Sequence, residues 1–189
     1  MALTKQPNLY PGMNDAGFEF FIVEDEVKFI ANSKISNFTE LPFGIIQIIE
    51  EEIENNKAIK MALLDWYPNS KYDRLKQFVK CRFGGLDFEA DIINHQLQPS
   101  EYVECPIRSK CEHNGVLCKA PEYNGSKLNA IDIQLMKLLT TPLTNEVIAE
   151  QLNLPLGSYH KYKKLLYEKL GFIQTKQELT IIAITLNII

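Results

Sequence analysis

The sequence predicts a mainly α protein: an α+β amino-terminal domain with one short hairpin, then a four-helix carboxy-terminal domain. Three observations predict this. Apolar residues recur at helical spacing through most of both ends. Strand chemistry is concentrated at residues 18–31. Between the ends, residues 99–127 show no long apolar period. The expected division is therefore an amino-terminal domain at 1–98, a cysteine-rich connector at 99–125 that draws in Cys81, and a third part at 126–189.

The elements follow in order. Phe18–Glu24 and Val27–Ala31 are aromatic and β-branched, and Asp25 and Glu26 join them as a hairpin. Pro42 stands where a helix can start, since the first turn does not use its missing N–H. Ile45, Ile46, Ile49 and Ile53 then give a helix that Asn55-Asn56 ends. Ala58–Trp66 reads as a second helix closed by Tyr67-Pro68. Ser70 caps a third running to about Lys80, with Tyr72, Leu75, Phe78 and Val79 as its buried stripe. Gly84-Gly85 breaks the chain.

A chain of 189 residues holds one ordinary domain or two small ones. Hydrophobic residues at 46% and charged residues at 23% fit a soluble globular protein. No apolar run approaches the roughly 18 residues a membrane helix needs. The opening MALTKQPNLYPG has no cationic stretch followed by an apolar run, so no secretory leader and a cytoplasmic address are expected. Charge is unevenly spread. Residues 1–125 carry 13 Lys/Arg against 19 Asp/Glu, and residues 126–189 carry 7 against 5. A mildly basic last third beside an acidic partner is the balance of a nucleic-acid-facing module. No nucleophile–base constellation is present, so an enzyme is not expected.

All four cysteines lie mid-chain, as Cys81-x23-Cys105-x5-Cys111-x6-Cys118. In a cytoplasmic chain such a cluster indicates metal or redox chemistry before structural disulfides. Four thiolates could complete a zinc site or anchor an iron–sulfur cluster. There is no CxxC pair, and His95 or His113 could replace one cysteine. The loop at 99–127 needs something besides a core to order it, and the cysteines are the candidates.

In the last third, Asn129 caps a helix with Ile131, Leu135, Leu138 and Leu139 on one face. Thr144 caps a short helix, Asn145–Leu152. Asn153-Leu154-Pro155 turns into a longer one from about Leu156 to Leu170, ended by Gly171. Thr175 and Glu178 form a capping box for a last helix to about Leu186. Two short helices, a tight turn and a longer cationic helix make a helix-turn-helix pattern.

From Leu128 onward the stretch resembles the LuxR/NarL-type DNA-binding domain. The matching marks are Leu128, Leu138-Leu139, Thr144-Asn145, Ile148-Ala149, Leu152, Leu154, then Tyr167, Lys169, Leu170, Gly171 and Glu178-Leu179. The resemblance implies that the third helix enters the major groove of double-stranded DNA, as in a bacterial or phage transcription regulator. His160, Lys161 and Lys164 would then face base edges. Thr144 and Ser158 would give hydroxyls to phosphate, with Lys163 and Lys169 as further phosphate contacts, and Tyr159 would pack in the core. Family members often dimerise through the last helix, and the apolar ELTIIAITLNII could form such a homodimer or equally be buried against its own domain. Pro142, Glu146, Val147 and Pro155 depart from the family pattern, and Glu146 replaces a phosphate-contacting Lys. The same pattern resembles region 4 of sigma factors, which would imply contact with RNA polymerase. A module that has lost DNA binding and serves as an interaction piece is the remaining alternative.

Overall fold

A computed structural model describes residues 9–189. Residues 1–8, which open the stretch read as carrying no leader, lie outside the described residues. The chain divides into two compact units at Lys119/Ala120. The cysteine-bearing residues 99–119 thus belong to the first unit.

The first unit begins with a three-stranded antiparallel sheet, β1 (Glu19–Val23), β2 (Glu26–Ala31) and β3 (Lys34–Asn37), in the order β1-β2-β3. Both turns are two residues long and left-handed: Glu24 and Asp25 have φ of 51° and 70°, Asn32 and Ser33 of 51° and 62°. This geometry matches the right-handed strand twist and tolerates Asn and Asp where other residues would clash. Phe20 pairs with Phe29 across β1 and β2, and both are buried.

Three helices follow: α1 (Phe43–Asn55), α2 (Lys57–Trp66) and α3 (Lys71–Arg82). Asn56 ends α1 and caps α2, its Oδ1 accepting from the Ile59 N–H at 3.2 Å. Ser70 caps α3 through the Asp73 N–H. The helices bury Ile45, Ile49, Ile53, Ile59, Leu63, Phe78 and Val79 in one core with Phe20 and Phe29. Tyr72, read as part of the buried stripe, is 43% exposed and meets Phe38 edge-on. The chain then runs back along the open edge of β1, where the Ile22 N–H donates to the Gly84 carbonyl and the Phe18 N–H to that of Ile92. Gly84 is required there, because a Cβ would lie 2.5 Å from Ile22 Cδ1 and 2.8 Å from the Lys80 carbonyl oxygen. A small hairpin, β4 (Ile92–Ile93) with β5 (Gln96–Leu97), completes this region.

The second unit opens with a hairpin, β6 (Glu122–Tyr123) and β7 (Ser126–Lys127), turned by Asn124-Gly125. Its helices are α4 (Ala130–Leu139), α5 (Asn145–Gln151), α6 (Leu156–Lys169) and α7 (Lys176–Thr185). Reciprocal capping boxes, Asn129 with Asp132 and Thr175 with Glu178, start α4 and α7. Leu135, Met136, Leu139, Ile148, Tyr159, Leu166 and Leu179 are all 1% exposed or less. Ile131, expected on the core face of α4, is 40% exposed.

The fold class differs from the mainly α expectation. Described residues are about 45% helical and 13% strand in a few small antiparallel sheets, an α+β mixture. The strand content beyond the first hairpin comes from β3 and from two-residue ladders, which are too short to show an apolar alternation. Among the described residues no helix is long and apolar enough to cross a membrane.

Beneath β1 lies a group of carboxyls. Glu19 is 1% exposed. Its Oε1 accepts from the Asp87 N–H at 2.9 Å, and its Oε2 is buried with no hydrogen-bond partner. Asp91 is 6% exposed and accepts from the Phe20 N–H at 2.7 Å. Burial, with Asp87 and Glu101 adding like charge, pushes Glu19 from 4.5 up to about 9, and burial together with Glu19 raises Asp91. The folded state therefore holds protons that the unfolded chain releases above about pH 4.5, so stability is present at low pH and declines towards pH 9. Glu19→Gln keeps the Asp87 contact without the titration. Urea unfolding at pH 5 and pH 8 should show the wild type losing stability relative to Glu19→Gln as pH rises, by up to about 1.4 kcal/mol per pH unit. Parallel profiles for the two proteins would show Glu19 already ionised.

Candidate functional site

Two places carry chemistry, one in each unit. In the second unit the site is the outer face of α6. Tyr159, Leu166 and Leu170 fall on one side of the helix and are buried, with the Tyr159 hydroxyl donating to Asn145 Oδ1 of α5 at 2.6 Å. This burial fixes the helix rotation, so that His160, Lys161 and Lys164 point outward and are exposed. The His160 ring meets Tyr159 edge-on, and Lys164 Nζ is 3.9 Å from Glu168 in an exposed pair.

The other expected contacts are placed differently. Lys169 Nζ is 2.6 Å from Asp132, which is 7% exposed, so this lysine ties the end of α6 to the start of α4. Lys163 is half-buried, 3.5 Å from Asn145 Oδ1 and 5.6 Å from the centre of the Tyr167 ring. Burial and the neighbouring Lys176 lower its pKa. Ser158 is half-buried in the first turn of α6. Thr144 caps α5, accepting from the Val147 N–H, and also bonds the Glu146 side chain. The Glu146 carboxyl is held below its ordinary value by its own backbone N–H, by Thr144 and by the charge of His160. Sequence reasoning missed Phe172, which follows Gly171 with a φ of 59° and is 72% exposed beside this face. An apolar residue after a helix-ending glycine gives no sign of exposure.

In the first unit the site is a cavity of about 590 Å³ with Cys81, Cys105 and Cys118 on its wall, among Trp66, Tyr67 and Val103. Cys81 sits in the last turn of α3, where Gln77 Nε2, one turn earlier, donates to its Sγ at 3.1 Å. Cys111 follows a single 3-10 turn, Arg108–Lys110, and is half-buried outside the lining. All four cysteines are free. The Cys118 thiol is lowered by the Cys81 thiol beside it and by Arg108 and Arg82, whereas Cys118 and burial push Cys81 up. Among the described residues no three His, Cys, Asp or Glu side chains are grouped to hold a single metal ion. His113 bonds Asp65 at 3.1 Å and stacks edge-on against Trp66, and His95 is exposed in the β4–β5 turn.

The loop is ordered by more than its cysteines, contrary to the sequence expectation. Arg82 donates to the Val116 carbonyl at 3.0 Å and to Ser100 Oγ at 3.2 Å. Arg108 donates to the carbonyls of Val103 at 2.9 Å and Lys119 at 3.3 Å, and lies over the Tyr102 ring. Tyr102, Val103 and Leu117 are buried beneath them.

No protein-family description, curated protein or solved structure matches this chain.

The Lys169–Asp132 pair gives a direct test of role. Lys169→Ala leaves a buried carboxylate without its cation and should cost roughly 1–2 kcal/mol in urea unfolding, with Lys169→Arg recovering part of it. An unchanged unfolding midpoint with weakened DNA retention would return Lys169 to the phosphate-contact role.

Proposed function

We propose that the second unit binds double-stranded DNA through α6 and that the protein acts as a transcription regulator. One observation carries this reading: burial leaves His160, Lys161 and Lys164 exposed on α6, the longest helix of the chain's described residues, beside the exposed Leu156, Tyr162 and Leu165. Lysine donates to guanine acceptors or to phosphate, and an imidazole N–H can read a base edge. Ser158 supplies a hydroxyl from the first turn. Thr144 is a weaker candidate because its hydroxyl is engaged by Glu146, and Lys163 and Lys169 serve the unit's own packing first. Ile181 and Ile184, three residues apart on α7 and both more than 60% exposed, support a homodimer through that helix.

A mobility-shift series with the full chain against increasing salt tests the reading. Affinity should fall steeply with salt, and Lys161→Ala and Lys164→Ala should each weaken binding and reduce the salt slope by about 1. His160→Ala should change preference among sequences more than overall affinity. Absence of DNA binding at low salt overturns the proposal.

A further inference from the structure

We infer that Cys118 and Cys81 form a peroxide-reactive dithiol on the cavity of the first unit, Cys118 being the thiol attacked by the oxidant and Cys81 the thiol that closes the disulfide. The inference stands independently of DNA binding, since every residue it uses belongs to the first unit.

The two cysteines are free, come from separate stretches of chain and meet. Cys81 sits in the last turn of α3, Cys118 near the end of the loop, and their thiols hydrogen-bond to each other. A disulfide holds its sulfurs at about 2.05 Å, which two thiols already in contact reach by a further approach of their side chains. Buried cysteines that served only as small hydrophobes would need no polar neighbours. Here Gln77 Nε2 donates to Cys81 Sγ at 3.1 Å, and the guanidinium groups of Arg108 and Arg82 act on Cys118.

These neighbours assign the two roles. Cys118 accepts from the Cys81 thiol and feels both guanidinium charges, which holds it below the ordinary thiol range, whereas Cys118 and burial push Cys81 up. The thiolate is the nucleophile, so Cys118 reacts first and Cys81 keeps its proton until the second step. Both line the cavity of about 590 Å³, and the exposed Asp25, Glu104 and Ile107 on the same wall place its mouth at the surface. Two carboxylates against the single cation of Lys80 on that wall disfavour an anionic oxidant, and hydrogen peroxide is small and uncharged.

The Cys118 thiolate attacks one peroxide oxygen. The O–O bond breaks, Cys118 becomes a sulfenic acid, and the departing hydroxide takes a solvent proton to become water. The Cys81 sulfur then attacks the Cys118 sulfur. The S–S bond forms, and the sulfenic hydroxyl leaves with the Cys81 proton as a second water. Two electrons pass from the thiol pair to the peroxide. The new bond ties α3 to the loop two residues from the Val116 carbonyl that Arg82 already holds.

The test treats the reduced full chain with a slight excess of hydrogen peroxide, blocks the remaining thiols and maps the peptides. Expected are loss of two of the four free thiols, a mass loss of two hydrogens and a Cys81–Cys118 disulfide that dithiothreitol reverses. Cys81→Ser should stop at a Cys118 sulfenic acid, one oxygen heavier and trapped by dimedone. Cys111→Ser, outside the cavity lining, should form the disulfide as the wild type does. In the wild type, alkylation of Cys118 by iodoacetamide should persist to lower pH than alkylation of Cys111. The unsubstituted protein alone decides the pairing, whether or not the variants fold. Four thiols that stay free under peroxide overturn the inference, as does a disulfide through Cys105 or Cys111 in place of this pair. Dimedone trapped at Cys81 in the wild type, or equal pH profiles for Cys118 and Cys111, overturns the assignment of Cys118 as nucleophile.

Discussion

The first unit depends on two arginines that hydrogen-bond loop carbonyls. Residues 99–119 have few apolar side chains for their length, and buried carbonyls without partners would cost roughly 1–3 kcal/mol each. Arg82 on α3 and Arg108 within the loop supply the donors, to Val116 and Ser100 in one case and to Val103 and Lys119 in the other. Both guanidinium groups also lie over aromatic rings, Phe78 and Tyr102, so cation–π contact adds to the hydrogen bonds. Because Arg82 follows Cys81 directly, the contact that secures the loop also sets Cys81 beside Cys118.

A comparable economy governs the second unit. Tyr159, at 0% exposure, is anchored at both ends, its ring in the core and its hydroxyl on Asn145. That anchor sets the rotation of α6 and the spacing of α5 to α6, which decides that His160 and Lys164 face out and Leu166 faces in. Lys169 closes the far end of the helix onto Asp132, itself part of the cap of α4. Two of the four lysines of α6, Lys163 and Lys169, are thereby drawn into the unit's own surface.

The helices were legible because caps and apolar period agreed. Asn129, Thr144 and Thr175 start their helices as the pattern predicts, and Ser70 does the same for α3. The third strand was not legible. Its turn, Asn32-Ser33, lacks the glycine that marks most two-residue hairpins, and β3 offers only four residues with Ile35 turned outward. The β6–β7 turn does carry Asn-Gly, but strands of two residues have no period to confirm it. Of the candidate site, the outward residues of α6 were expected from the resemblance to the LuxR/NarL-type domain, position by position. The engagement of Lys169 was not, because Asp132 lies 37 residues away in sequence and only the packing of α4 on α6 brings them together. The arginine clasp escaped for the same reason: its acceptors are backbone carbonyls, which no side-chain pattern announces.

The charge left on α6 bears on how such a unit would hold DNA. With Lys161 and Lys164 outward and Glu146 facing His160, one unit offers about two or three phosphate contacts, a salt slope on the order of −2 to −3. That is shallow for a regulator, whose specific binding draws a large share of its affinity from phosphate contacts. Two copies joined on one duplex double the contacts and convert the second encounter into an intramolecular one. The outward isoleucines of α7 have no use in the unit's own core, where Leu179, Ile182 and Ala183 of the same helix already serve. Under the DNA-binding proposal a weakly cationic α6 and an apolar outer stripe on α7 are complementary features: the first would make a single unit insufficient, and the second would supply the surface through which a pair forms.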